Sequence, residues 1–350
     1  MHEDMVDYLV HLSSNNINNL KIIRNFLYLI LTRNNKYHYA LYLYGTGGSG
    51  KSVFESIIQA LVGKYVKSMK MEDIKDKHAK IDLIDAAVAL FPDIKSYKGD
   101  VTDLKNLISG DLMNGRELYK NKVNFKPNCI VVMTSNSLWQ PKDSTTGIHR
   151  RFIYVSIDKI PKNRNINLLN IDDGKLSGLL VKSLPGLVNW AMDAYKEDLK
   201  LFDKSAKEIN ELTSPDLDKE VNPLLDWIDQ NLYYCPGNKV LVGNKKTQEN
   251  NTLYPNYLKF CYEYGYTPLS IIDFSNSLIQ QMNLLWKDYN CDIFKKRTSK
   301  GVVINNVELV TELMKKEIEL NSKYIENNDY NSNDDKYSIN VENTFGDYIY

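Results

Sequence analysis

Residues 40–52 have the sequence ALYLYGTGGSGKS, in which an apolar, aromatic-rich run precedes a glycine-rich segment. The run 40–44 predicts a buried strand, and residues 45–52 match the pattern GxxxxGK[ST] at every fixed position. Strand, loop and helix therefore follow one another in the order that a phosphate-binding loop requires. The helix is predicted by apolar residues that continue at helical spacing, namely Val53, Ile57, Ile58 and Leu61.

The loop residues have distinct expected roles in holding a di- or triphosphate. Backbone N–H groups and the start of the following helix favour an anion at this point. Lys51 would neutralise the β and γ phosphates, and Ser52 would give its hydroxyl oxygen to Mg²⁺, a hard cation that prefers oxygen ligands. The alternative is a glycine-rich turn with a chance lysine, but every fixed position and both flanks fit the motif. The predicted nucleotide-binding residues are Gly45, Thr46, Gly47, Gly48, Ser49, Gly50, Lys51 and Ser52.

The composition is that of an ordinary globular protein. The chain has 350 residues, 43% of them hydrophobic and 25% charged, which suffices for two or three domains. Lys and Arg together number 44, as do Asp and Glu, so contact with nucleic acid would depend on local basic patches. The cysteines form no CxxC pair, which indicates neither a zinc site nor a disulfide framework and favours a reducing compartment. The acidic N-terminus and the short apolar runs predict neither secretion nor a membrane anchor.

A second contact to the nucleotide is predicted where the apolar run 86–91 is followed by a proline and Asp93. A phosphate loop needs a metal-positioning acid at the end of a neighbouring strand, and Asp93 is the candidate for Mg²⁺. A solvated aspartate in a turn is the alternative reading. Many ATPases carry a second acid beside the first, whereas here the neighbours are proline and isoleucine. The general base is therefore unassigned, with Asp100 and Asp103 as weak candidates, and slow or altered hydrolysis is an open alternative.

The motifs that follow make a family recognisable. Residues 103–111 (DLKNLISGD) predict a short helix, residues 116–127 contain a basic hairpin, and residues 129–136 (CIVVMTSN) predict an apolar strand that ends in asparagine. Their order and spacing resemble superfamily 3 helicases, in particular the helicase part of phage, plasmid and poxvirus-type primase-helicases. The resemblance covers roughly residues 15–310. It implies a hexameric ring that moves DNA with ATP and Mg²⁺ during replication.

The basic hairpin is the predicted grip on DNA. Lysines on a protruding hairpin can hold phosphates without reading the sequence, and the resemblance implies that this hairpin lines the channel of the ring. Lys120 and Lys122 are the candidates, while an ordinary solvated hairpin is the alternative. The basic residues in and around the hairpin are Arg116, Lys120, Lys122 and Lys126.

The resemblance implies two further catalytic residues. Asn136 fits the family's sensor asparagine, which would hold the attacking water near the γ phosphate, although an asparagine after a strand is commonly a turn residue. Arg151, with Arg150 as second choice, fits an arginine finger supplied by the adjacent subunit. A surface ion pair is the alternative for either arginine. The predicted catalytic residues are Lys51, Asp93, Asn136 and Arg151, and the predicted metal ligands are Ser52 and Asp93.

A second, smaller domain is predicted towards the end of the chain. Residues 252–265 and 268–284 read as two helices and residues 294–304 as a hairpin, an order that resembles the winged-helix domain of the same primase-helicases. Basic residues on the wing could meet a DNA backbone, and a solvated basic turn has an equal claim on them. The wing residues are Lys295, Lys296, Arg297 and Lys300, of which the first three are the predicted DNA contacts.

Together these patterns predict an α/β protein with an AAA+-like P-loop NTPase core. We expect a helical lead-in (1–37), the ATPase core (38–165), a helical extension (166–215), the winged-helix-like domain (216–315) and a flexible tail (316–350). The expected partners are single-stranded or forked DNA, further copies of the chain and, since no primase domain precedes the loop, a separate primase. Two alternatives are a DNA-binding protein with a decayed ATPase and a P-loop ATPase with another DNA-related task.

Overall fold

The structure, a computed structural model, divides into two compact units between Pro215 and Asp216. Each unit has its own hydrophobic core. Lys120 and the predicted tail 316–350 lie outside the described residues. The described residues are 1–94, 97, 99–117, 119, 121–139, 146–157, 159–161, 167–195, 198–213, 222–247, 251–266, 268–286 and 292–310.

The first unit alternates helices with short strands. In chain order these are α1 (Glu3–Leu12), α2 (Ile17–Thr32), β1 (Ala40–Tyr44), α3 (Lys51–Val62), β2 (Val66–Ser68), β3 (Val88–Phe91), α4 (Thr102–Ser109), β4 (Met113–Arg116), β5 (Lys122–Phe125), β6 (Ile130–Ser135), α5 (Thr146–His149), β7 (Phe152–Ser156), β8 (Asn170–Asp172), β9 (Lys175–Ser177), α6 (Leu184–Met192) and α7 (Ala206–Thr213). Short 3₁₀ helices cover Gly63–Tyr65, Asp73–Lys75, Ala79–Leu83, Val181–Ser183, Asp193–Tyr195 and Asp198–Asp203.

A five-stranded parallel sheet lies at the centre of the first unit, in the order β2-β3-β6-β1-β7. Every neighbouring pair is parallel; β1, for example, aligns Leu41 with Val132 of β6 and Ala40 with Phe152 of β7. Strands β1, β3, β6 and β7 are buried at almost every position, as is typical of parallel strands in α/β proteins. The predicted α/β class with a mainly parallel sheet is confirmed, and the sheet is compatible with a P-loop core.

The lead-in helix α2 belongs to the core of the first unit. Asn16 caps it, since its side chain accepts from the N–H groups of Asn18 and Asn19. Arg24 joins α2 to later segments of the same unit, because its side chain donates to the Asp198 carboxylate at 3.0 Å and to the Trp190 carbonyl at 2.7 Å. Apolar residues at helical spacing form a stripe along α2 that is no more than 1% exposed and consists of Leu20, Ile23, Leu27 and Ile30.

The segment predicted as a helical extension, 166–215, differs from that prediction near its start. Strands β8 and β9 form an antiparallel hairpin over residues 170–177, and helices follow only after it. The turn places Asp173 at φ 46° and Gly174 at φ 77°. Two consecutive left-handed residues of the Asp-Gly type make the tight turn that matches the twist of a hairpin. The Asp-Gly pair therefore favours a hairpin at this point, and helical elements follow from Val181 onward.

The second unit follows the order helix, strand, helix, helix, strand, strand, and its sheet is antiparallel with the order β10-β12-β11. Three aromatic rings join its helices: Trp227 lies 5.6 Å from Tyr257 and 5.5 Å from Phe274, and Tyr257 stacks on Phe274 at 4.8 Å between ring centroids. Its elements are α8 (Pro223–Asn231), β10 (Leu232–Leu241), α9 (Leu253–Glu263), α10 (Ile271–Leu285), β11 (Lys295–Thr298) and β12 (Gly301–Leu309). Across the described ranges of both units, no helix has the length and apolar character needed to cross a membrane.

Candidate functional site

The glycine-rich segment forms the loop between β1 and α3. Gly48 and Gly50 adopt φ angles of 84° and 101°, which residues with side chains rarely adopt. Gly45 is required for a different reason, because a Cβ atom at this position would collide with the carbonyl oxygen of Ile157. These glycines let the backbone turn sharply from the strand into the helix, as a loop whose amides gather around an anion must do.

Lys51 is the first residue of α3, and its ammonium group folds back over the loop. Its Nζ donates to the carbonyl oxygens of Gly45 at 2.6 Å and Thr46 at 3.0 Å, and to the hydroxyl of Ser49 at 3.2 Å. The positive charge is therefore held within the loop by three neutral acceptors. Ser52 follows in the first helical turn and is exposed.

Asp93 follows β3 in a left-handed backbone conformation, with φ 47°, which is uncommon for a residue other than glycine. The end of β6 holds this turn. The Asp93 N–H donates to Thr134 Oγ1 at 3.2 Å, and the Ile94 N–H donates to the Thr134 carbonyl at 2.8 Å. Because β3 and β6 are adjacent and parallel, the exposed Asp93 is fixed at the edge of the sheet where both strands end.

The same edge carries most of the predicted catalytic residues. Lys51 and Ser52 follow β1 through the loop, Asp93 follows β3, and the exposed Asn136 directly follows β6. These three strands are neighbours in the sheet. In open α/β sheets ligands bind outside the carboxyl ends of the strands, so the structure brings four predicted site residues to the expected place.

Glu55 is a residue of this site that sequence reasoning missed. It lies in α3 one turn beyond Lys51, and residues four apart lie on the same face of a helix. Thr134 Oγ1 donates to Glu55 Oε1 at 2.6 Å. Burial raises the pKa of Glu55, whereas the hydrogen bond from Thr134 and the charge of Lys51 lower it. For Lys51, burial lowers the pKa, whereas the charges of Asp93 and Glu55 raise it. The spacing from Lys51 places Glu55 on the same face of α3, but its contact with Thr134 depends on the tertiary structure.

The two weak candidates for a general base both have structural partners. Asp100 Oδ1 accepts from the N–H and the hydroxyl of Thr102 at 3.0 and 2.7 Å, and these bonds lower the pKa of Asp100. Asp103 forms an ion pair with Lys80 at 2.8 Å. A lowered pKa makes a carboxylate a weaker base at neutral pH.

Arg151 lies at the opposite edge of the sheet. It directly precedes β7, and its carbonyl accepts from the N–H of Ala40, the first residue of β1, at 2.8 Å. A five-residue strand such as β1 spans about 16 Å, so a strand length separates Arg151 from the loop of its own chain. Its Nε donates to Ser109 Oγ at 3.0 Å at the end of α4. Arg150, the second choice for the finger, is exposed beside it.

The predicted DNA-contacting hairpin consists of β4 and β5. Met113 pairs with Phe125 at its base, where both side chains are buried, and Arg116 pairs with Lys122 next to the turn. Arg116 and Lys122 are exposed. The basic end of the hairpin therefore faces solvent while its base is anchored in the unit. Lys120, the other candidate, lies outside the described residues.

Three of the predicted wing residues, Lys295, Lys296 and Arg297, lie on β11 and are all exposed. Lys300 is exposed in the turn between β11 and β12. Because side chains alternate along a strand, Lys295 and Arg297 share one face. Lys295 Nζ donates to Asn276 Oδ1 of α10 at 2.7 Å. This bond ties the strand to the first half of α10, where Ile272 is 70% exposed. Strand and helix thus form one continuous surface with both basic and apolar groups.

Comparisons with known proteins match the part of the chain that carries the loop, Asp93 and Asn136 to one family model. Residues 43–151 match a family of unknown function, DUF5906. Among solved structures, the apo C-terminal region of NrS-1 is 14% identical, with 89% of this chain and 76% of that chain covered and a TM-score of 0.44. The phage P4 origin-binding domain is 26% identical, with 25% of this chain and 87% of that chain covered and a TM-score of 0.22. Both TM-scores are below 0.5, so the functional assignment rests on the geometry of this chain.

Proposed function

We propose that this chain is an ATP-dependent DNA translocase of the superfamily 3 helicase type, which acts in replication of a phage, plasmid, virus or organelle genome. The observation that carries the proposal is the convergence of Lys51, Ser52, Asp93 and Asn136 at one edge of a parallel sheet. They follow three different strands, so their proximity depends on the order of the strands as well as on the motif.

The residues at this edge fit a nucleoside triphosphate with Mg²⁺. Lys51 supplies positive charge for the phosphates, and the exposed Ser52 and Asp93 offer the oxygen ligands that Mg²⁺ prefers. Mg²⁺, when bound, neutralises charge that develops on the phosphate oxygens. Lys51 would exchange its three acceptors in the loop for phosphate oxygens, and Asn136 would orient the attacking water.

The position of Arg151 supports hydrolysis between two copies of the chain. The loop of its own chain is a strand length away, whereas the loop of a neighbouring copy could be docked against the edge that carries Arg151. A guanidinium supplied in this way would stabilise charge on the transferred phosphoryl group and make hydrolysis depend on assembly. We assign six subunits to this ring on the family resemblance alone.

The direct test is ATP hydrolysis by the full chain with and without single-stranded DNA. We expect hydrolysis that requires Mg²⁺ and is accelerated by DNA, and a closed ring around DNA in electron micrographs with a non-hydrolysable ATP analogue. Binding of nucleotide and DNA without turnover would instead favour a DNA-binding protein with a decayed ATPase. Hydrolysis that ignores DNA would favour a P-loop ATPase with another task.

The hairpin hypothesis predicts that Lys122→Ala weakens single-stranded DNA binding to a similar extent for every sequence. The lysine would contact phosphates, and each lost contact reduces the slope of log affinity against log salt by about 0.7 for single strands. The measurement is a salt titration of DNA binding together with DNA-stimulated hydrolysis. Lys175→Ala, on the exposed β8–β9 hairpin of the same unit, is the control and should change neither. An unchanged slope in Lys122→Ala would remove the hairpin from the DNA path.

The wing hypothesis predicts that the double variant Lys296→Ala/Arg297→Ala weakens binding of forked DNA. Each lost contact with duplex phosphates should reduce the salt slope by about 0.9. Lys295 is left intact because its hydrogen bond to Asn276 holds the strand against α10. Lys259→Ala on α9, an exposed lysine of the same unit, should leave affinity and slope unchanged. If the double variant bound forked DNA with the same affinity and salt slope as Lys259→Ala, β11 would be a solvated basic strand.

A further inference from the structure

We propose that Glu55 is a positioning residue of the nucleotide site and that it acts through Thr134 on Asp93. This inference rests on the proposed function of the site. The residues on either side of Asp93 are not acidic. Helix α3 instead contributes the Glu55 carboxylate, which is linked to Asp93 by two hydrogen bonds through the Thr134 hydroxyl. The chain thus has a pair of acids that are 38 positions apart in sequence and share one partner.

The Thr134 hydroxyl joins the two acidic residues. A threonine hydroxyl has one proton to donate and an oxygen that can accept. The proton goes to Glu55 Oε1 at 2.6 Å, and the oxygen accepts the Asp93 N–H at 3.2 Å. Thr134 is only 2% exposed, so solvent has little access to these bonds. Glu55 therefore fixes the rotation of the hydroxyl and keeps its oxygen directed at Asp93.

The hydrogen bond from the Asp93 N–H to Thr134 matters because the backbone of Asp93 is in an uncommon conformation. Its φ of 47° is a conformation that persists only where surrounding contacts hold it. The end of β6 supplies these contacts, because the Thr134 carbonyl accepts from Ile94 N–H and the Ser135 hydroxyl donates to the Ile94 carbonyl, each at 2.8 Å. Loss of the Thr134 hydroxyl would leave the Asp93 N–H without this hydrogen bond and make the backbone of Asp93 more mobile. The direction of the Asp93 carboxylate would then be less well defined.

The charge of Glu55 acts on the same site. Both Glu55 and Asp93 interact electrostatically with Lys51. A second negative charge close to Asp93 favours a divalent cation there, just as residues around a metal ligand commonly tune metal affinity. Glu55 would thus influence cation binding both by orienting Asp93 and by its own charge.

The test measures the Mg²⁺ concentration needed for half-maximal binding of a fluorescent ATP analogue to the full chain, with kcat and KM for hydrolysis alongside. Glu55→Ala and Thr134→Val should each raise that concentration by about 10- to 100-fold, the usual effect of changing a partner of a metal ligand. Glu55→Gln keeps an acceptor for Thr134 and should lose less than Glu55→Ala. Thr134→Ser keeps the hydroxyl and should behave like the unmodified chain. Binding of the analogue without Mg²⁺ should stay the same in all four variants.

The double variant Glu55→Ala/Thr134→Val decides whether the two residues act as a unit. Both changes interrupt the same hydrogen-bonded link from Glu55 through Thr134 to Asp93. The double variant should therefore need no more Mg²⁺ for half-maximal binding than the more severe single variant. Glu72→Ala, an exposed glutamate after β2, is the control, and thermal melting checks that each variant folds. If Glu55→Ala unfolds, the comparison of Glu55→Gln with Thr134→Ser still tests the proposal.

Two results would overturn the assignment of Glu55. One is a Mg²⁺ requirement unchanged by Glu55→Ala and Glu55→Gln, and the other is a double variant whose loss equals the product of the single losses. In both cases Mg²⁺-dependent hydrolysis by the unmodified chain would leave the proposed function standing. If the unmodified chain binds no nucleotide at all, the proposed function fails and the role of Glu55 fails with it.

Discussion

Lys51→Ala is expected to lower the rate of ATP hydrolysis by at least about 100-fold, the effect of removing one preorganised group that stabilises developing charge. Alanine leaves the phosphates without the cation that the loop now holds through Gly45, Thr46 and Ser49. Those three bonds lie within the loop and do not join it to the rest of the sheet. The variant should therefore remain folded, and steady-state hydrolysis at saturating DNA measures the loss.

Lys70→Ala is the matched control for this prediction. Lys70 is an exposed lysine just after β2, three strands away from β1 in the sheet, so its replacement removes the same charge without changing a residue of the loop. We expect unchanged hydrolysis and DNA binding in this variant. If Lys51→Ala retained the activity of the unmodified chain in the same preparation, the turnover would come from another site and the nucleotide assignment would be wrong.

Arg151→Ala is expected to lower hydrolysis by about 1000-fold while nucleotide binding persists, in the range known for removal of an arginine finger. The reason is geometric, because Arg151 lies at the amino-terminal edge of the sheet and the loop lies at the carboxyl edge. Under the proposed function, the guanidinium would therefore act on the nucleotide of a neighbouring copy. Hydrolysis and binding of a fluorescent ATP analogue, measured on the same protein, separate the two effects.

A mixing experiment makes the intersubunit prediction decisive. Lys51→Ala has an intact finger and Arg151→Ala has an intact loop, so a mixed ring contains some complete sites. We expect the mixture to hydrolyse ATP well above the sum of the two variants measured separately. No recovery in a sample that electron microscopy shows to contain mixed rings would argue that Arg151 serves its own chain or only stabilises the fold.

Two variants distinguish the role of the Arg151 charge from the role of its hydrogen bond to Ser109 and from that of Arg150. Ser109→Ala removes the hydroxyl that accepts from Arg151 Nε at 3.0 Å but keeps the positive charge, so it should retain most of the activity. Arg150→Ala removes the exposed neighbouring arginine and should also be mild. A loss confined to Arg150→Ala would transfer the finger role to that residue.

The parts of this fold that the sequence predicts well have local determinants. The strand, loop and helix over residues 40–62 follow from an apolar run, three constrained glycines and helical spacing. The stripe of α2 is buried as its periodicity predicts. The hairpin at 170–177 is also local, since its Asp-Gly pair is a strong turn signal.

Glu55 could not be singled out in the same way. It is one of 44 acidic residues, and its significance depends on a hydrogen bond to Thr134, which is 79 positions away. Mg²⁺-binding ATPases often carry a second acid next to the first, whereas the residues next to Asp93 are proline and isoleucine. A carboxylate that comes from a helix instead of the same strand end has no fixed spacing from Asp93, so no linear pattern reveals it.

The sequence by itself determined the phosphate-loop motif, the α/β class and the basic hairpins of this protein, because backbone conformation and periodicity depend on residues close along the chain. The tertiary structure alone decided which strand ends meet. It joined Glu55, Thr134 and Asp93 into one connection and placed Arg151 a strand length from its own loop. Strand order and register cause this, because they bring together residues whose separation in sequence says nothing about their separation in space.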